Sequence, residues 1–306
     1  MRVGVLAGMT AAGKSAFALE LAEGNPLIEI VNADSLQIYR EMNIGTAKPD
    51  GREMKSVPHH LIDIRDPSEP FTAGDFMRAA LQAIAEIEAR GKRALIVGGS
   101  GFYLKALLHG IWEAPAASPE IRERLQAKPS NELFQDLQAR DPESAERIGM
   151  GDRYRLIRAL EIIELTGKTP SQLRQDEETT PDPRFELWCL DRADEELQKR
   201  IERRTAKMLE NGLIAEYESL REKFGKCRPL SAVGYVQVGD YLAGKKPEGR
   251  KPRPGIPGLQ DEIVLATRQL VKSQRTWFRG RKDAKWFVLE EEREKLLSAA
   301  RDIYSG

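Results

Sequence analysis

The residues best equipped for chemistry begin at Gly8. Gly8-Met9-Thr10-Ala11-Ala12-Gly13-Lys14-Ser15 fits the pattern G-x-x-x-x-G-K-S/T without mismatch. Glycines let the backbone of Gly8, Thr10, Ala11, Ala12 and Gly13 bend so that N–H groups converge on phosphate oxygens. Lys14 can neutralise a terminal phosphate, and the Ser15 hydroxyl is suited to ligate Mg. The loop specifies a phosphate-bearing ligand but not a reaction, since most such loops serve nucleotide hydrolysis or phosphoryl transfer. Asp34 closes a second apolar run, where its carboxylate can act as a general base or simply cap a turn. Ser100, within Gly98-Gly99-Ser100-Gly101, offers a hydroxyl to orient a substrate or fill a phosphate turn. Arg200, Arg203 and Arg204 read equally as anion ligands or as a solvated helix face. Farther on, Arg268, Lys272, Arg275, Arg279, Arg281 and Lys282 surround Trp277 and Phe278. Basic charge interleaved with aromatics suits nucleic-acid backbone contact and base stacking; an amphipathic helix with Trp277 in the core is the alternative.

The elements that position these groups follow from pattern. Residues 3–7 read as a short buried strand and 8–15 as a loop. Residues 16–22 start a helix, 27–31 form a second strand and 76–90 an amphipathic helix that Gly91 stops. A third strand at 94–97 runs into the Gly98 loop, and 102–108 returns to helix. Strand alternating with helix predicts a parallel sheet flanked by helices, a P-loop NTPase-like α/β core whose ligands sit beyond the carboxyl ends of the strands. From 113 the character changes. A linker-like stretch at 113–119 leads into a charged, helical region at 120–169. The expected organisation is a catalytic core of residues 1–112 and 188–306 with a helical insertion domain at 113–187. A strand is expected at 186–190 and helices at 197–224 and 261–279. Residues 244–258, rich in Lys, Pro and Gly, read as an exposed loop.

Composition narrows the class. Of 306 residues, 41% are hydrophobic and 31% charged, as in an ordinary globular protein. No apolar run of about 18 residues predicts a membrane span, and the start lacks the pattern of a signal peptide, so a cytoplasmic protein is expected. Cys189 and Cys227 have no metal-ligand spacing, and His59-His60 reads as a packed loop rather than a metal site. The formal net charge of +0 places any RNA affinity in a local basic surface.

Further motifs occur in order along nearly the whole chain: Asn32 to Tyr39, Asn43 to Pro49, Val57 to Asp63, Val97 to Leu104, Asp152 to Glu161, Arg200 to Arg204, Gly212-Leu213, Val233 to Tyr235, and Thr267 to Arg279. Together they closely resemble the tRNA dimethylallyltransferase (tRNA isopentenyltransferase) family. The resemblance implies transfer of a dimethylallyl group from dimethylallyl diphosphate to the exocyclic amino nitrogen of the adenosine 3′-adjacent to the anticodon. It implies that the loop from Gly8 to Ser15 holds the leaving diphosphate, with Arg204 as a further ligand, and that Mg assists. Lys14, Asp34 and Ser100 become the catalytic candidates. Asp34, Ser35, Leu36, Gln37, Ser100, Arg122, Tyr154, Arg155, Arg158, Gly234, Tyr235, Lys272, Arg275, Trp277 and Arg279 match tRNA-contact positions. The partner is the anticodon stem-loop of tRNA, no membrane is involved, and a monomer is expected. The sequence departs from the family pattern at Met9 (usually Pro), Ala12 (usually Ser), and Ser15 and Ser100 (usually Thr). Val236 and Ser273 stand where basic residues are common. A small-molecule P-loop kinase, a prenyltransferase acting on free adenine nucleotides and a non-catalytic RNA-binding module are the competing readings.

Overall fold

The computed structural model describes residues 1–110, 115, 117–175, 181–247, 249 and 251–305. Six strands form one sheet: β1 (Val3–Gly8), β2 (Ile28–Asn32), β3 (His59–His60), β4 (Arg93–Val97), β5 (Phe185–Asp191) and β6 (Lys285–Val288). Their order is β3-β2-β4-β1-β5-β6, and every pairing is parallel. β1, β2 and β4 are buried nearly throughout, as their unbroken apolar runs require of strands covered on both faces. The helices between and after them are α1 (Lys14–Glu23), α2 (Glu53–Ser56), α3 (Ala73–Ala89) and α4 (Gly101–His109). Then come α5 (Pro119–Gln126), α6 (Ser130–Arg140), α7 (Pro142–Ile148), α8 (Arg153–Thr166) and α9 (Pro170–Gln175). The last are α10 (Asp194–Glu210), α11 (Leu213–Phe224), α12 (Tyr235–Leu242), α13 (Gly255–Arg279) and α14 (Leu289–Tyr304).

The chain divides into two compact units, 1–108 with 181–306, and 109–180. The first is the P-loop α/β core. Its apolar centre joins Leu6, Phe17, Leu95, Trp188 and Leu190 to Ile201, Val271 and Leu296. Tyr304 reaches in from α14: its hydroxyl donates to the Ala94 carbonyl (2.8 Å) and accepts from the Gly4 amide (3.1 Å). The second unit is all-helical around Leu125, Leu133, Leu137, Leu156 and Leu160.

Four expectations need correction, the first being the helix over 197–224, which breaks at Asn211-Gly212 into α10 and α11. The insertion is compact over 109–180 rather than 113–187, because Phe185, Glu186 and Leu187 pair with Val3, Gly4 and Val5 in the central sheet. His59 and His60 form an edge strand beside Ile30 and Val31, not a loop. α13 begins at Gly255, so residues 255–258 leave the expected loop; Pro254 at the N-cap and Pro257 in the first turn are where a helix tolerates proline. Residues 285–304 add a strand and a helix that pattern reading did not assign. The expected linker at 113–119 falls largely outside the described residues.

Candidate active site

In the strand order, β2, β4 and β1 are neighbours, so their carboxyl ends deliver three loops to one place. β1 delivers the phosphate loop, β2 delivers Asp34, and β4 delivers the turn from Gly98 to Gly101. Gly8 has φ 128°, and a Cβ there would lie 2.2 Å from the Leu190 carbonyl oxygen. Gly98 has the same constraint from the other side, since a Cβ would lie 2.2 Å from the Ala33 oxygen. The Gly8 approach seats the phosphate loop against β5, and the Gly98 approach brings the second and third loops together.

The Lys14 ammonium folds back over its own loop and donates to the carbonyls of Gly8 (2.9 Å) and Met9 (2.7 Å). Burial pulls its pKa down to about 8; Asp34 opposes that fall and Arg204 adds to it. Arg204 on α10 is likewise lowered by burial and supported by the charge of Asp34. Among the described residues its hydrogen bonds are long, 3.4 Å to Thr10 Oγ1 and 3.5 Å to the Thr46 carbonyl. That guanidinium is therefore nearly uncommitted. Two half-buried cations and one carboxylate thus lie close enough to feel one another's charge, with positive charge in excess.

Asp34 sits in a tight turn. Its amide donates to Asn32 Oδ1 (3.1 Å), and its Oδ1 accepts from the Leu36 amide (2.9 Å). The turn-capping role and the base role are compatible, because the turn engages one oxygen and the other has no hydrogen bond among the described residues. Ser100 Oγ accepts from the Ser35 amide (2.8 Å), which ties the two loops and leaves its proton to donate. Ser35, Leu36 and Gln37 follow directly, and Gln37 Nε2 donates to the Thr46 carbonyl at 3.2 Å.

Two positioning groups escaped sequence reading. Gln274 on α13 accepts from the Thr10 amide (2.8 Å) and donates to the Gly99 carbonyl (3.1 Å), bridging the phosphate loop and the Ser100 turn. Glu216 on α11 accepts from the amides of Asn43, Ile44 and Gly45 (2.9, 2.7 and 3.0 Å) and from the Tyr235 hydroxyl (2.7 Å). No local motif marks either residue, since each acts on backbone more than 170 positions away in sequence.

The expected RNA contacts divide. Arg268, Lys272, Arg275 and Arg279 recur at helical spacing and share one stripe of α13, while Val271, Gln274 and Phe278 share another. Lys272 and Arg279 are exposed and have no ion pair among the described residues. Arg275 instead pairs with Asp191 (2.9 Å) and Asp194 (2.8 Å), locking α13 to the end of β5. Trp277 is half-buried against Gly101 with the Arg281 guanidinium 4.4 Å from its ring centre. The Tyr235 side chain is fully buried and packs on Gly45, so of the Gly234-Tyr235 pair only the backbone is free for an external contact. In the helical unit, Arg122 and Arg158 both bind the buried Glu161 carboxylate (2.9 and 2.5 Å). Burial raises the Glu161 pKa, but hydrogen bonds from Arg158, Arg122 and the Ser118 amide outweigh it and hold the carboxyl below its ordinary value. Tyr154 and Arg155 are exposed on α8, Arg155 paired with Asp152.

For Mg, the Ser15 hydroxyl stands exposed in the first turn of α1 with no hydrogen-bond partner among the described residues. No group of three or more acidic, His or Cys side chains forms a metal cage among the described residues. The donor set therefore fits a cation held by one hydroxyl and by phosphate oxygens. His59 and His60 are accounted for otherwise: His59 Nδ1 meets the Val57 carbonyl, and His60 Nε2 meets Glu29, each within hydrogen-bond distance.

A phosphate loop after β1 of a parallel sheet, with a carboxylate at the end of β2 and a separate helical unit, defines a P-loop α/β protein with a helical insertion. The IPP transferase family model matches residues 37–281, and the chain belongs to that family. It is 43% identical over 295 residues to tRNA dimethylallyltransferase 1 of Citrifermentans bemidjiense, covering 94% of this chain and 92% of the relative. It is 40% identical to tRNA dimethylallyltransferase 1 of Trichlorobacter lovleyi, over 99% of both chains. Among solved structures it resembles the full-length tRNA isopentenylpyrophosphate transferase of Bacillus halodurans (33% identity, TM-score 0.69, 100% and 96% coverage). It also resembles a eukaryotic dimethylallyltransferase described as acting on tRNA (25% identity, TM-score 0.81, 98% of this chain and 77% of the other).

Proposed function

We propose that this protein transfers a dimethylallyl group from dimethylallyl diphosphate to the exocyclic amino nitrogen of the adenosine 3′-adjacent to the tRNA anticodon. The observation that carries the reading is the meeting of Lys14 and Asp34, from the neighbouring ends of β1 and β2, with Arg204 from α10. The two cations and the loop amides receive the diphosphate, and charge on its oxygens grows as the allylic C–O bond breaks. The amino nitrogen forms the new C–N bond, the electron pair of the C–O bond leaves on diphosphate, and the nitrogen's proton passes to Asp34. A carboxylate is a weak base for a neutral amine, so this proton moves as the bond forms rather than before it. The Ser100 proton is placed to orient either the adenine or Asp34. Mg on Ser15 and the phosphate oxygens would add positive charge at the leaving group.

An adenine stacked in an anticodon loop conceals its amino group, so the base must be extruded at a cost of a few kcal/mol. Lys272 and Arg279 on α13, with the segment from Asp34 to Gln37, are the core's RNA-binding candidates. Tyr154 and Arg155, exposed on α8, are those of the helical unit. Arg122, Arg158, Arg275 and Tyr235 act by holding these surfaces in shape, since their polar groups are committed inside the protein. Inorganic diphosphate should inhibit turnover competitively against dimethylallyl diphosphate, and no ATP should be consumed. Turnover that requires ATP would return the protein to the kinase reading.

A further inference from the structure

We infer that Arg192 and Arg200 are positioning residues that brace the phosphate loop from behind and set its affinity for diphosphate. This rests on reading Gly8–Ser15 as a diphosphate site. Arg192 follows β5, the strand beside β1 on the side away from β4. Its Nε donates to the Ala12 carbonyl at 2.6 Å. Arg200 on α10 donates from Nε to the Ala11 carbonyl at 2.8 Å. Two successive peptide planes are therefore pinned by their carbonyls. In a trans peptide the N–H points opposite to the C=O, so pinning the Ala12 carbonyl outward fixes the Gly13 N–H on the other side of that peptide plane.

The pinned stretch does not hold its shape cheaply. Ala11 has φ 64°, in the left-handed region that a residue with a Cβ rarely adopts, and Gly13 has φ 103°. A ligand that binds loop amides gains most when this shape exists before it arrives. Arg192 is itself fixed: its side chain is 13% exposed and pairs with Glu290 in the first turn of α14. The guanidinium also lies 3.1 Å from where a Cβ on Gly13 would be, so it fits against the loop closely. Arg200 carries the converse signature, a pKa lowered by burial and by the neighbouring charges of Arg192 and Arg203. Cations crowded at the carbonyl side of a phosphate loop relieve one another when an anion enters on the amide side. A cavity of about 280 Å³ lies behind the loop, lined by Gly13, Phe17, Arg192, Arg200, Leu289 and Arg293 among others.

The test is Mg-diphosphate binding and steady-state kinetics on the full chain for Arg192→Met, Arg200→Met and the matching Lys variants. The Met variants should raise both the diphosphate Kd and the KM for dimethylallyl diphosphate about tenfold, with tRNA affinity unchanged. The Lys variants, which restore one donor and the charge, should recover part of that loss. A role confined to stability would instead lower the melting temperature or the active fraction and leave KM and Kd at wild-type values. That outcome in soluble, folded Met variants overturns the inference. Failure of the wild-type chain to bind diphosphate at all would overturn the phosphate-loop reading, and the brace with it. For a Met variant that does not fold, Glu290→Gln releases Arg192 without touching the loop and should still raise the diphosphate Kd.

Discussion

Lys14 allows the sharpest prediction because its proton is set by burial. The amine falls from 10.5 to about 8 in the empty site, which corresponds to about 3 kcal/mol spent keeping it charged there. The folded pKa lies below the unfolded one, so between about 8 and 10.5 the unfolded chain holds the extra proton. Lys14 thus lowers stability fully below pH 8, and that penalty fades as pH rises through the window. A bound diphosphate reverses the balance, because only the ammonium neutralises it. At pH 8.5, half a unit above that pKa, about three-quarters of empty sites hold a neutral Lys14, and diphosphate binding must reprotonate them. Calorimetry of Mg-diphosphate binding in two buffers of different ionisation enthalpy should therefore show about 0.75 proton taken up per site beyond the uptake of Lys14→Met. Above pH 8 the wild-type Kd should climb toward tenfold per pH unit more steeply than that of the variant. At pH 7 the variant should bind about 100-fold more weakly, the scale of an interfacial charge lost from a buried pair. Equal proton uptake and parallel pH profiles for the two proteins would refute the placement of Lys14 at the diphosphate.

Two other consequences follow from the geometry. Lys272→Ala and Arg279→Ala should each weaken tRNA binding and reduce the slope of log K against log salt by about 0.7–0.9, read by binding titrations across ionic strength, while the KM for the donor stays put. Glu216→Ala should destabilise the protein by about 2–3 kcal/mol in denaturant unfolding, because it strands three backbone amides and the hydroxyl of buried Tyr235.

The phosphate loop, Asp34 and the Gly98 turn were legible because each is local: a loop motif or a polar residue at the end of an apolar run. The buried strands β1, β2 and β4 were legible for the same reason. β3 and β6 were not, being two and four residues long and therefore too short for a period to show. The insertion boundary slipped because it falls inside the strand expected from 186; which unit that strand joins is decided by its pairing with β1, a partner some 180 residues away. Arg192, Glu216 and Gln274 stayed hidden because their work is done on distant backbone carbonyls and amides. A basic residue read as an RNA ligand can instead be an internal strut, as Arg275 is between Asp191 and Asp194. Charge pattern alone does not separate the two; the carboxylates the fold brings near do.

The most direct measurement follows label from dimethylallyl diphosphate into unmodified tRNA, with Mg and without ATP, for the wild type and for Asp34→Ala. The account predicts label on the adenosine beside the anticodon for the wild type. For Asp34→Ala it predicts turnover reduced about 100-fold or more, with donor and tRNA affinities nearly intact. Label on free adenine nucleotides but not on tRNA, or normal turnover by Asp34→Ala, would contradict it.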